Sequence, residues 1–300
     1  MPRLIEVDLT EECTLEECAE TLRRDGFDPA CDESLHGTAT WLRRLTNNRT
    51  FLGDLLISQL KDRHRDTFVE SGFSPQALVL SPRVGGVFLR ANIWPAEADH
   101  CFQASGAMTF VYGVPHDHNF SFLTSGYFGP GYRSDYYEYD YAQVAGYLGE
   151  RPGLRFIERS ALHQGKLMLY RAHEDVHSQI PPESLSVSLN VMHVGGAQGW
   201  FDQYAFDLER GEVARVLSPN STEIFLRVAV GTGHAGACDL AEHFGRHHPS
   251  DRLRLASYEA RALLESDAAA RDALWREAEL SGSRMLSESA RIERAKLELA

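Results

Sequence analysis

The sequence predicts a mainly β domain with helical extensions at both ends. Three observations predict it. Between about residues 76 and 218 the apolar side chains recur with period 2. Turn signals punctuate that stretch at Gly85-Gly86, Gly129-Pro130-Gly131, Pro181-Pro182 and Gly195-Gly196. On either side the apolar period is helical. The expected organisation is a helical region over 1–70, a β domain carrying a metal site over 71–218, and a helical region over 219–300.

The elements follow in order. Thr14-Leu15-Glu16-Glu17 reads as a capping box, and Leu15, Cys18, Ala19 and Leu22 continue at helical spacing until Asp25-Gly26. Leu35, Ala39, Leu42 and Leu45 mark a second helix. Leu52, Leu55, Leu56 and Leu60 mark a third, which runs into charged residues 61–66. Strands are expected over 77–80, 87–94, 108–112, 116–124, 134–141, 154–158, 166–171, 176–180 and 185–194. A hairpin over 205–217 turns at Gly211. Many short strands without long helices between them argue for an antiparallel sandwich or barrel. Helices are expected over 221–230, 235–246, 250–264 and 268–280, with Ser250 as an N-cap and an amphipathic tail to residue 300. They read as a bundle packed on the β domain or on a second subunit.

Composition narrows the function. The 300 residues are 43% hydrophobic and 24% charged, ordinary values for a globular chain. A net charge of -13 repels nucleic acid and anionic membrane surfaces, so neither is an expected partner. The paired bases Arg23-Arg24 and Arg43-Arg44 form no patch. Five cysteines without a C-x-x-C pair fit a reducing cytoplasm better than a disulfide framework. The N-terminus turns acidic at once, which is not a secretory leader, and no apolar run nears the ~18 residues a bilayer needs.

The most informative stretch is Gly113-Val114-Pro115-His116-Asp117-His118-Asn119-Phe120-Ser121-Phe122. On a strand, His116 and His118 project from one face, with Phe120 and Phe122 as aromatic walls beyond them. Two imidazoles so placed suit a metal ion in a pocket for a small organic substrate. His177 is the best third ligand and His173 its competitor, four residues earlier. On the strand that follows, Leu185, Val187, Leu189 and Val191 form an apolar face. Ser186, Ser188, Asn190 and Met192 form a second face suited to lining a cavity.

His116-Asp117-His118, Ser121 and the downstream Tyr137-Glu138-Tyr139 resemble the first motif of the cupin superfamily, with the nearest likeness to cysteine dioxygenase and related thiol dioxygenases. The resemblance spans roughly residues 77–195, with an insertion around 95–107, and leaves the helical ends aside. It implies a double-stranded β-helix barrel that holds Fe(II) through His116, His118 and His177, leaving positions open for substrate and O2. Zinc, nickel or manganese would suit the same ligands. Where many cupins carry a further glutamate, this chain has Phe122 and Leu123. The thiol dioxygenases also carry a Ser-His-Tyr series on the late strand. This chain keeps Ser188 but has Asn190 and Met192 in the other two positions, which speaks against cysteine itself as substrate. The crosslinking cysteine of some members would fall near Leu123.

Ser188 and Asn190 are thus the expected residues of the reaction, and Met192 joins the pocket. The family's carboxylate-binding arginine maps to Arg83 or Arg90, since a guanidinium recognises carboxylate bidentately. Tyr137, Tyr139 and Tyr141 alternate on one strand face and read first as an aromatic packing face, with Tyr139 a candidate source of a phenol for the pocket. The expected activity is O2-dependent oxidation of a small polar, amino-acid-like substrate, in a chain that resembles the barrel-edge homodimers of cupins. Two alternatives stand beside it. One is a non-oxidative metal-dependent isomerase, lyase or hydrolase. The other is a ligand-sensing cupin whose C-terminal helices engage a partner. His173-Glu174-Asp175 also matches the H-x-D start of a 2-oxoglutarate oxygenase site, but the distal histidine and arginine of that site have no suitable counterpart.

Overall fold

Thr14 opens the first helix, α1 (Leu15–Asp25), as its capping box requires. Its hydroxyl accepts from Glu17 N at 3.1 Å, and the Glu17 carboxylate accepts from Thr14 N at 2.8 Å. The computed structural model describes residues 1–63 and 76–299, and the chain divides into two units. Unit 1 holds residues 1–139 and 153–198; unit 2 holds residues 140–152 and 199–300. The expected boundary at residue 70 lies outside the described residues. The hairpin expected at 205–217 groups with the C-terminal helices rather than with the site-bearing strands.

Unit 1 opens with the short strand β1 (Arg3–Leu4). Three helices follow: α1, α2 (Asp32–Asn47) and α3 (Phe51–Arg63). Then come β2 (Ala77–Val79), β3 (Val87–Trp94), the short helix α4 (His100–Ser105), β4 (Ser121–Phe128), β5 (Arg133–Glu138), β6 (Arg155–Ala161), β7 (Leu167–Tyr170), β8 (Asp175–Ile180) and β9 (Ser186–His193). One antiparallel sheet has the order β1-β7-β4-β9-β3-β2, and a second has the order β6-β5-β8. These ladders describe two sheets; a closed barrel is not what they trace.

The larger sheet sorts its residues by period 2. Leu89 and Ala91 on β3, Leu123 on β4, and Leu189 and Val191 on β9 share a core with Leu35, Leu42 and Leu45 of α2. The opposite face carries Phe88, Trp94, Phe122 and Met192. They pack with Tyr132 and Tyr136 of the smaller sheet's chain in an aromatic core. The candidate site lies on this second face.

Three local expectations change. Residues 107–110 form a 3₁₀ turn rather than a strand, and Val111 ends it in the left-handed region at φ 59. Gly113 follows at φ 70, where glycine carries no Cβ cost. The expected strand over 116–124 begins only at Ser121, because the chain bends at Asn119-Phe120 to pass from the smaller sheet to the larger. On β5 the inward residue is Tyr136, fully buried, and a register shift separates it from Tyr137. Tyr137 packs outside on Phe156.

Unit 2 pairs β10 (Tyr204–Asp207) with β11 (Glu212–Val216) and continues through five helices. These are α5 (Ser221–Gly231), α6 (Ala235–His247), α7 (Asp251–Ala262), α8 (Ala268–Glu279) and α9 (Arg284–Glu298). Asn220, Ser250, Asp267 and Ser283 cap α5, α7, α8 and α9 with their side chains. Apolar residues such as Leu226, Val230 and Ala256 hold the first three helices together, and Tyr258, Trp275 and Leu286 the last three. No helix among the described residues is long and apolar enough to cross a membrane.

Candidate metal centre

The free edge of β8 brings the first and third histidines together. His116 and His177 exchange both backbone hydrogen bonds, at 3.0 and 2.9 Å, so their side chains leave the ladder as direct neighbours. His118 returns to the same side two residues later. The three rings converge, with Nε2 of His177 lying 3.1 Å from Nε2 of His118 and 3.3 Å from Nε2 of His116. One ligand nitrogen from each of the three lies within 4.8 Å of the other two.

That spacing fits one ion. Two ligands 3.1–3.3 Å apart, each about 2.1 Å from a common metal, subtend about 95–105°, between octahedral and tetrahedral angles. Protonation states fit as well. Burial pushes the His116, His118 and His177 imidazoles below their ordinary range, and each neighbour's charge pushes His118 and His177 further. Neutral imidazole is the ligating form. His116 Nδ1 lies 2.8 Å from the Val114 carbonyl, a bond that fixes the proton there and leaves Nε2 with its lone pair. The Nδ1 atoms of His118 and His177 are buried without a partner among the described residues.

The surrounding elements hold the triad in place. Asp117, fully buried between the two histidines, accepts from the Tyr139 hydroxyl at 2.6 Å. Asp175, at the start of β8, accepts from the Arg171 backbone N–H at 2.7 Å and from its guanidinium at 2.7 and 3.1 Å. His173 sits in the intervening turn at φ 64, and its N–H donates to the His118 carbonyl at 2.8 Å. So His173 lies outside the converging triad and contacts it through backbone. Asp175 is spent on Arg171, which leaves the H-x-D reading without its carboxylate.

The triad forms one wall of a cavity of about 200 Å³. Phe120 and Phe122 stand beside His118, with ring centroids 4.9 and 5.0 Å away. Arg90, Asn92 and Trp94 line it from β3, and Asn190 lines it from β9. Arg90 and Asn190 are opposite one another in the ladder, and Asn190 Nδ2 donates to the Arg90 carbonyl at 3.3 Å. The Arg90 Nε and Asn92 Oδ1 atoms are buried without a partner among the described residues. Burial pulls the Arg90 guanidinium down to about 10, still a cation at neutral pH. No aspartate or glutamate among the described residues lines this cavity.

Four expected site residues stand elsewhere. Arg83 is exposed and donates to the Val194 carbonyl at 3.3 Å. Ser188 accepts from Trp94 Nε1 at 2.9 Å, so it fixes the indole and does not reach the cavity. Tyr139 reaches Asp117 instead of the pocket, because β5 turns Tyr136 inward. Met192 fills the aromatic core. The structure adds Gln76, Tyr132 and Gln179 to the wall. Tyr132 interacts with Tyr170, whose hydroxyl lies 2.9 Å from that of Tyr136; burial pushes Tyr136 up to about 12 and keeps the phenols protonated. Gln179 shares the face of His177 by period 2, a signal already present in His177-Ser178-Gln179.

No family description matches the chain, and no curated protein aligns with it. Among solved structures it is similar to a salicylate 1,2-dioxygenase from Pseudaminobacter salicylatoxidans. The identity is 9% and the TM-score 0.26, over 48% of this chain and 33% of that one. It is similar to a hydroquinone 1,2-dioxygenase at 12% identity and TM-score 0.26, over 42% and 69% of the two chains. It is similar to DMSP lyases at 13% identity and TM-score 0.26, over 68% and 84%. The chain thus spans a third of the length of the first of these relatives.

Proposed function

We propose that this chain is a cupin-type, mononuclear non-haem iron oxygenase acting on a small, carboxylate-bearing substrate. The convergence of His116, His118 and His177 on one cavity carries the reading. Fe(II) bound there would supply the redox chemistry that activates O2. The residues around it divide the remaining work. Arg90 is a half-buried cation with no carboxylate among the described residues lining its cavity, suited to pairing with a substrate carboxylate. Asn190 and Asn92 offer neutral amides that orient the substrate by hydrogen bonds without titrating. Phe120, Phe122 and Trp94 exclude water. Tyr132 offers a protonated phenol at the same wall. The small cavity favours metabolite-sized ligands.

The test is anaerobic purification with metal analysis, followed by O2-uptake assays over a panel of small carboxylates. The reading expects one iron per chain and O2 uptake triggered by one class of carboxylate. Stoichiometric zinc with turnover independent of O2 would sink it in favour of a non-oxidative metal enzyme.

A further inference from the structure

We propose that Gln179 supplies a fourth protein ligand to the ion, through its side-chain carbonyl oxygen; the inference rests on the metal reading above. His177 Nε2 has three near neighbours on the cavity side. Two are the other imidazole nitrogens, at 3.1 and 3.3 Å, and the third is the Gln179 amide nitrogen at 3.2 Å. Gln179 therefore stands from His177 at the same distance as the ligands stand from one another. An atom so placed, about 2.1 Å from the same ion, subtends about 100° with His177.

The backbone fixes this position. Gln179 lies two residues after His177 on β8, so both project to one face. Its carbonyl accepts from Gly113 N–H at 3.0 Å, and its ladder partner on β5 is Ser134. The side chain is 5% exposed and lines the cavity. Its amide orientation is the remaining question. With the amide nitrogen toward His177, the bond consumes the lone pair that a metal needs. The Oε1 atom is meanwhile buried without a partner among the described residues, so no donor there holds it where it is. A half-turn of the amide exchanges the two atoms, which are distinguished by their hydrogen-bond surroundings alone. Once His177 Nε2 is committed to a cation, the carbonyl oxygen is the end of the amide that has something to bind. A glutamine here keeps all four protein ligands neutral, in a cavity without a lining carboxylate among the described residues.

The full chain loaded with Co(II) tests this, because the visible d–d bands report ligand number and type without any substrate. Affinity is measured by competition with a chelator, and circular dichroism establishes that each variant is folded. Gln179→Met is expected to change the d–d spectrum and weaken Co(II) binding roughly tenfold or more. Gln179→Glu is expected to restore or exceed wild-type affinity, since it returns an oxygen donor and adds charge. A folded Gln179→Met protein with the wild-type spectrum overturns the proposal, whether or not its affinity falls. In either case the metal reading survives, provided His177→Ala abolishes binding. A wild-type protein that takes up no Co(II) overturns both.

Discussion

Two arginines of this molecule meet burial in opposite ways. Arg252, in the helical unit, donates to Asp202 at 2.6 Å and to the Gly146 carbonyl at 3.1 Å. Burial works against its charge, and Asp202 together with Tyr204 and Glu223 more than offsets that cost. Arg90, in the cavity of the other unit, has no carboxylate beside it among the described residues, and burial lowers its pKa. Around Arg90 lie further buried atoms without partners, on Asn92, His118, His177 and Gln179. A folded chain seldom leaves such groups unsatisfied unless a ligand completes them. Arg252 closes its polar contacts within its own unit, whereas the cavity leaves several polar atoms open toward whatever binds there.

The sharpest way to break that contrast is to remove a ligand. His118→Ala or His177→Ala should lower metal affinity more than 100-fold, beyond the about 10–100-fold typical of outer-shell losses, as read by metal analysis after dialysis. Retained metal would leave the cavity's unpaired atoms without their explanation. Next come the two arginines. Arg252→Met removes the cation beside half-buried Asp202, which keeps the Tyr204 hydroxyl as a donor, and should cost about 1.5–3 kcal/mol in urea unfolding. Arg90→Met should leave stability unchanged or raise it, while abolishing carboxylate binding. Equal losses from both would erase the distinction.

The pH dependence follows from the triad. The three imidazoles sit below the ordinary 6.5 of the unfolded chain, so below that value the unfolded state binds more protons. Their neutral-state stability is complete above pH 6.5 and is lost as pH falls below it. Metal-free protein should lose up to about 1.4 kcal/mol per pH unit for each histidine as pH falls. Urea midpoints that stay flat from pH 7.5 to 5.5 would contradict it. Tyr139→Phe removes the 2.6 Å donor from buried Asp117 and should cost about 1.5–3 kcal/mol without displacing metal. Arg83→Ala should shift stability by less than about 0.5 kcal/mol and leave ligand binding intact, since Arg83 is exposed.

Much of the fold was legible because period-2 patterning is local. β3 was read with its observed bounds, and the inward face of β9 follows from simple alternation. The pairing of His116 and His118 needed only the H-x-H spacing. What escaped depends on bends and phase. The strand proposed to start at His116 starts at Ser121, because the chain changes sheets at Asn119-Phe120. On β5 the buried face is Ser134 and Tyr136, one residue out of phase with the tyrosines expected to supply a phenol, and alternation alone does not say which face turns inward. Ser188 sits on the correct face yet is covered by Trp94, a contact between residues 94 apart that spacing cannot reveal. The sequence offered both Arg83 and Arg90 for the carboxylate, with Arg90 set apart by its apolar strand; the structure places Arg90 in the cavity wall and Arg83 on the surface.

The most direct test of the three-histidine centre is the metal content of the chain as purified, measured beside His177→Ala and His173→Ala. One metal per chain is expected in the parent protein, none in His177→Ala and the full complement in His173→Ala. Loss of metal in His173→Ala with retention in His177→Ala would contradict it.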